Sequence, residues 1–254
     1  MEEGKTGNTA IPGRTSGSRV PPASKGEPTD QRAPLTSVQV KICGLTNEVQ
    51  ALECVRLGAD AIGLVFFPRS PRNVSDHKAR SICREISDEA CTIGVFVNEA
   101  FEAIMRRVEH CGLRGVQLHG DESPELAARL SARGLLVLKA FFANGHPSLA
   151  MAVRYPGAVC LVESTGGPLP GGNALTWDWS AARDLAAIRP TVLAGGLHAD
   201  NVRAAIESAL PDAVDVSSGV ESSPGVKDLE KVRLFISRAR QGMGLERRVR
   251  RVFF

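Results

Sequence analysis

The sequence has no run of about 18 apolar residues, which excludes a membrane-spanning helix. It has no Cys-x-x-Cys. Its six cysteines, at 43, 54, 83, 91, 111 and 160, show no paired spacing, which argues for reduced thiols in the cytoplasm. Its five histidines, at 77, 110, 119, 146 and 198, have no close His or Cys partner in ligand spacing, so no zinc site is implied. A secretory start is also missing: Glu2 and Glu3 stand where basic residues would, and no apolar stretch follows.

A basic face is absent too. The 254 residues carry a formal charge of +3, but residues 1–37 hold +1 and residues 240–254 hold +4, leaving 38–239 at −2. Nothing in the body tracks a phosphate backbone, so neither nucleic acid nor a membrane is an expected partner. In residues 1–37, Pro, Gly, Ser and Thr fill 19 positions and only 7 are hydrophobic. That is too little apolar surface to offset the entropy of ordering, and a disordered tail is expected. The Arg-rich end, 240–254, reads as a solvated extension, with a weak RNA or membrane-surface contact as the alternative.

What is present lies between. Hydrophobic residues make up 43% of the chain, enough for a full core. Eight apolar runs read as strands: 38–43, 61–67, 92–97, 115–119, 135–142, 158–163, 191–194 and 213–216. Several are near-continuous, as in strands buried on both faces. Helical stretches alternate with them, including 47–57, 123–133 and 200–210. Asn47, Ser123 and Asp200 offer N-caps, and Gly58, Gly112 and Gly134 offer C-terminal stops. Eight β-then-α units in about 200 residues point to an α/β fold, a (β/α)₈ barrel over 38–239. A doubly wound sheet would place a Gly-rich fingerprint after the first strand, where this chain has Cys43-Gly44-Leu45-Thr46.

In such barrels chemistry sits at the C-terminal ends of strands. Cys43 ends the first and shares a face with Lys41; it is either core or a thiolate base, and the latter needs nearby positive charge. Arg69 and Arg72 follow the second strand in a Pro-stiffened loop suited to gripping an anion. Gln117 and His119 share a face at the end of the fourth. Glu163 ends the sixth, and burying a carboxylic acid there without purpose would be costly. Gly195 and Gly196 after the seventh, with Ser217, Ser218 and Gly219 after the eighth, form the expected phosphate cradle.

These segments together resemble the phosphoribosylanthranilate isomerase family of tryptophan biosynthesis. The resemblance is carried by Lys41-Ile42-Cys43-Gly44, the 67–72 loop, Gly115-Val116-Gln117-Leu118-His119-Gly120, Ala194-Gly195-Gly196-Leu197 and Asp215-Val216-Ser217-Ser218-Gly219-Val220-Glu221. It implies an Amadori rearrangement of N-(5'-phosphoribosyl)anthranilate to 1-(2-carboxyphenylamino)-1-deoxyribulose 5-phosphate. A general acid opens the ribose ring to a Schiff base, and a general base then removes the C2 proton. The resemblance puts Cys43 at the base position, Arg72 at the carboxylate clamp and Asp215 in the pocket. It implies a small-molecule phosphoribosyl substrate, no metal or redox cofactor, and a monomer or homodimer.

Two departures stand out. The strand-6 acid is Glu163 where the family has Asp, which moves the carboxyl by about 1.5 Å. The following loop, Gly171-Gly172-Asn173-Ala174-Leu175, lacks one glycine and the lysine of the family pattern. Two other readings follow: a divergent paralogue isomerising a related aminoribosyl phosphate, and a catalytically weak barrel with a binding role.

Overall fold

The computed structural model describes residues 1, 4, 35, 37–86, 88–164, 176–241 and 249–254. The chain divides into two units, 1–33 and 34–254, and every element below belongs to the second. The expected disordered tail lies outside the described residues except at positions 1, 4, 35 and 37.

Eight parallel strands close into a barrel in chain order. They are β1 (Gln39–Cys43), β2 (Ala61–Val65), β3 (Cys91–Phe96), β4 (Gly115–Leu118), β5 (Leu136–Phe142), β6 (Val159–Glu163), β7 (Thr191–Leu193) and β8 (Ala213–Val216). β8 returns to β1 through the pairs Gln39↔Ala213 to Ile42↔Val216, so the sheet has no open edge and a doubly wound arrangement is excluded. The helices are α1 (Glu48–Arg56), α2 (Asp76–Ile86), α3 (Phe101–Cys111), α4 (Pro124–Ser131), α5 (Arg183–Ile188), α6 (Val202–Ala209) and α7 (Leu229–Arg240). Between β5 and β6 a 3₁₀ turn, Leu149–Arg154, takes the place of a full helix, and Tyr155-Pro156-Gly157 ends it. A short hairpin, β9 (Glu221–Ser223) and β10 (Val226–Lys227), follows β8.

Alternation sorts the strand residues. On β1, Val40 and Ile42 face outward to helix residues such as Ala51 and Cys54, while Gln39, Lys41 and Cys43 face the barrel axis. Inside, Ala61, Ile93, Leu138, Leu161, Val192 and Ala213 fill the lower barrel. Both faces are therefore buried, which is why the strands read as near-continuous apolar runs. All six cysteines are free and buried.

Caps follow the sequence with one correction. Asn47 and Ser123 accept from the Gln50 and Leu126 amides. Gly112 ends α3 with φ +76°, and Gly58 and Gly134 take positive φ just past α1 and α4. Asp200 does not cap α6; Asn201 holds that position, and its Oδ1 accepts from the His198 amide instead.

The C-terminal extension is only partly solvated where it is described: Arg251 and Phe254 are exposed, but Val249, Val252 and Phe253 are buried. Val252 and Phe253 are buried in the cluster that fills the lower barrel. Gln39 holds them there: its Oε1 accepts from the amides of Val252 (2.6 Å) and Phe253 (2.9 Å), and its Nε2 donates to the Phe253 carbonyl at 2.9 Å. Arg250 pairs with the fully buried Asp212 at 2.8 Å. The apolar Val-Phe pair supplies the burial, and the arginines around it disguise that in the sequence. Among the described helices, none is long and apolar enough to cross a membrane.

Candidate active site

At the upper end of β1, Cys43 sits in a dense electrostatic setting. Lys41 Nζ donates to Asp215 Oδ1 at 2.9 Å, both inward-facing on adjacent strands through the Lys41↔Asp215 register pair. Gly63 on β2 makes the space: a Cβ there would lie 2.6 Å from Cys43 Sγ and 3.1 Å from Lys41 Nζ. Burial pushes the Cys43 thiol up, and the Lys41 ammonium opposes that without cancelling it. Burial also works against the Lys41 charge, but Asp215 and Cys43 overcome it and hold Lys41 above its ordinary range.

Arg72 reaches the same rim. Its guanidinium makes a bidentate pair with Glu221, Nε to Oε1 at 2.9 Å and Nη2 to Oε2 at 2.8 Å. Lys227 on β10 joins from the other side, with Nζ 2.7 Å from Glu221 Oε1 and 3.2 Å from the Ser217 carbonyl. Burial favours a neutral Glu221, yet Arg72 and Lys227 hold its carboxyl below the usual range. The Arg72 stem crosses Gly44, where φ is +79° and any Cβ would collide with Cδ. Arg69, the other arginine of that loop, is exposed and lies over the Phe67 ring.

Across the barrel, Glu163 ends β6 and is 5% exposed. Its Oε1 lies 3.2 Å from His119 Nε2, and Gln117 Nε2 lies 2.8 Å from His119 Nδ1. The Phe142 ring packs edge-on to His119, with centroids 5.9 Å apart. The longer reach of Glu at this position thus ends on a hydrogen-bonding partner.

After β7, Gly195 and Gly196 take φ +85° and +68°, a conformation that suits glycine. Among the described residues the amides of Gly195 and Gly196 donate to no backbone acceptor, as an anion cradle requires, and Ser218 and Gly219 open a 3₁₀ turn, Ser218–Val220, beside them. The two loops touch, since a Cβ on Gly219 would collide with the Leu197 carbonyl. Trp177 and Trp179 tie the segment before α5 to the cradle through the Ala194 (3.1 Å) and Gly195 (3.3 Å) carbonyls. The departure at Leu175 and the glycines before it lie outside the described residues.

The structure brings together all ten sequence-derived site residues at the C-terminal rim, in three groups. Cys43, Arg72, Asp215 and Ser217 adjoin one another through Lys41 and Gly44; His119 meets Glu163; and Gly195, Gly196, Ser218 and Gly219 line the cradle. Sequence reasoning missed Gly63, Glu221 as the partner of Arg72, and Lys227. A lysine after Ser-Pro-Gly reads as a solvated turn charge; its only signal was the hairpin chemistry around Gly225.

The profile of the family described as "N-(5'phosphoribosyl)anthranilate (PRA) isomerase" matches residues 40–238. A protein of Desulfatibacillum aliphaticivorans named N-(5'-phosphoribosyl)anthranilate isomerase is 52% identical over 217 residues, 85% of this chain and 99% of its own length. The crystal structure of phosphoribosyl anthranilate isomerase from Thermotoga maritima superposes with a TM-score of 0.74 at 41% identity, covering 80% of this chain and 98% of that one. A structure of such an isomerase in complex with reduced 1-(o-carboxyphenylamino)-1-deoxyribulose 5-phosphate gives 0.71 at 40% identity, with the same coverage. The fold, the rim constellation and these likenesses agree: the chain belongs to the N-(5'-phosphoribosyl)anthranilate isomerase family.

Proposed function

We propose that the chain converts N-(5'-phosphoribosyl)anthranilate to 1-(2-carboxyphenylamino)-1-deoxyribulose 5-phosphate, with Glu163 as general acid and Cys43 as general base. The Glu163 proton goes to the ribose ring oxygen as the C1–O bond breaks, and the anthranilate nitrogen lone pair completes the C=N bond. The Cys43 thiolate then removes the C2 proton, the electrons flow to nitrogen, and the resulting enolamine becomes the ketone as C1 takes a proton and the C2 hydroxyl gives one up. Arg72 keeps N–H donors beyond the two given to Glu221 and receives the anthranilate carboxylate, while the amides after β7 and β8 receive the phosphate.

The observation that carries the reading is the separation of two proton-transfer groups on one rim, each with its own electrostatic partner: Cys43 by Lys41, Glu163 by His119. Such divergent settings are what distinct acid and base roles require. Burial holds the resting thiol up, so the thiolate forms with help from Lys41 and from the positive Schiff base beside the departing proton.

The chain should restore growth without tryptophan to a strain lacking this isomerase. Cys43→Ser and Glu163→Ala should each lower kcat by about 10²–10⁴-fold while the folded content by circular dichroism is kept. A well-folded wild-type chain that fails to rescue sinks the activity. Near-normal turnover in either variant sinks that residue's role.

A further inference from the structure

We infer that Gln117 is a positioning residue for this reaction: it fixes the tautomer of His119 so that the imidazole presents Nε2–H to Glu163. The inference rests on the general-acid reading of Glu163 above.

A neutral imidazole has one N–H donor and one lone-pair acceptor, and its neighbours decide which nitrogen is which. Gln117 Nε2 lies 2.8 Å from His119 Nδ1. An amide N–H only donates, so Nδ1 must accept, and the ring proton sits on Nε2. That nitrogen is 3.2 Å from Glu163 Oε1, the correct partner for an N–H. Gln117 and His119 are two residues apart on β4 and its end, so both side chains project to the same inward face. The Phe142 ring packs edge-on against the imidazole.

The other end of the amide supports this role. Gln117 Oε1 is buried and has no hydrogen-bond partner among the described residues. Among the described residues the one hydrogen bond of the Gln117 side chain is therefore the one to His119. Turned over, Gln117 would require Nδ1–H, and His119 would face Glu163 with a lone pair. The Glu163 proton would then be drawn to the imidazole and away from the ribose oxygen. In the observed orientation His119 donates to one carboxyl oxygen and leaves the proton on the other free to move. Once that proton has passed to the ring oxygen, the remaining carboxylate keeps the Nε2–H bond, and His119 changes neither tautomer nor charge.

The test combines the imidazole ¹⁵N spectrum of histidine-labelled full-length chain with steady-state kinetics. In the wild type, His119 should show a protonated Nε2 and a bare Nδ1, its signals assigned by their loss in His119→Asn. Gln117→Leu, close in volume, should mix the tautomers and lower kcat by about 10-fold or more, with KM within about threefold. Gln117→Glu should place a proton on Nδ1 and give a similar loss. A wild-type His119 protonated on Nδ1, or a Gln117→Leu chain with unaltered kcat and an unaltered imidazole spectrum, overturns the inference. If Glu163→Ala retains turnover while the tautomer is as stated, the acid assignment fails and the Gln117–His119 geometry stands.

Discussion

Six buried thiols share one chain, and a direct hydrogen bond with Lys41 separates Cys43 from the rest. Burial pushes Cys54 and Cys83 up to about 12, and Cys91 and Cys160 up to about 11, which leaves them inert. Cys43 is also pushed up by burial, but it alone has Lys41 in direct hydrogen-bonding range, while Lys227 acts on Cys54 as well. The sign of the pH dependence follows. A thiol held above its ordinary value is protonated in the resting enzyme near neutrality, so the thiolate fraction grows as pH rises. The rate at which iodoacetamide alkylates Cys43 in the folded wild type, read by mass spectrometry, should therefore keep climbing past pH about 8.5, the ordinary thiol value, and Lys227→Met should move that limb to still higher pH. An alkylation rate flat between pH about 7 and 9 would mean that the thiolate is already formed near neutrality. Sequence alternation could place Lys41 beside Cys43. It could not show Asp215, 174 positions away, or the pairing of Arg72 with Glu221 across 149 positions, because a lone charge in sequence looks the same whether solvated or paired.

The turn after β4, which carries His119, is held from behind by groups that never face the site. Lys139 on β5 points away from the barrel axis and is fully buried. Its Nζ donates to the Gly120 carbonyl at 2.6 Å and the Leu118 carbonyl at 3.4 Å, one residue on each side of His119. Glu122 pairs with it at 3.2 Å and accepts from the amides of Gly120 and Asn98. Tyr155 closes the cluster by donating to the Glu122 carbonyl at 2.8 Å. Lys139→Met should cost about 3–5 kcal/mol in urea unfolding, since it strands a buried carboxylate, and adding Glu122→Gln should recover part of the loss. A single variant within about 1 kcal/mol of wild type would show that the pair does not support the turn. At this scale the sequence was informative: all eight strands were legible to within two residues, because each is an apolar run ended by polar or glycine punctuation. The Lys139–Glu122 support was not, since a lysine inside an apolar strand carries no sign of which carbonyls will receive it.

Over the molecule, chemistry and closure occupy opposite ends of the barrel. Cys43, Glu163 and the glycine cradle lie at the C-terminal ends of the strands, whereas Val252 and Phe253 share a buried cluster with Ala61, Cys91, Val159 and Ala213, which lie at the strand starts. The residues that do this lie beyond the 40–238 segment matched by the family profile. Leu35 and Val249 form an antiparallel bridge, so the two flanks of the barrel meet at its floor. Arg250, read in sequence as a free basic charge, instead pairs with buried Asp212 and donates to the Ala186 carbonyl. Part of the apparent basicity of this end is therefore internal. Losing Phe253 alone empties a core site worth about 3–5 kcal/mol, and at about 2–4 °C per kcal/mol this corresponds to a Tm drop of order 10 °C. A chain ending at residue 248 should show that drop in calorimetry yet keep kcat within about threefold, because none of the ten site residues belongs to the cluster that holds Val252 and Phe253. An unchanged Tm would mean the lower barrel is closed without its C-terminal residues. A lost kcat at a temperature where the truncated chain is fully folded would mean that floor and rim are coupled through the strands.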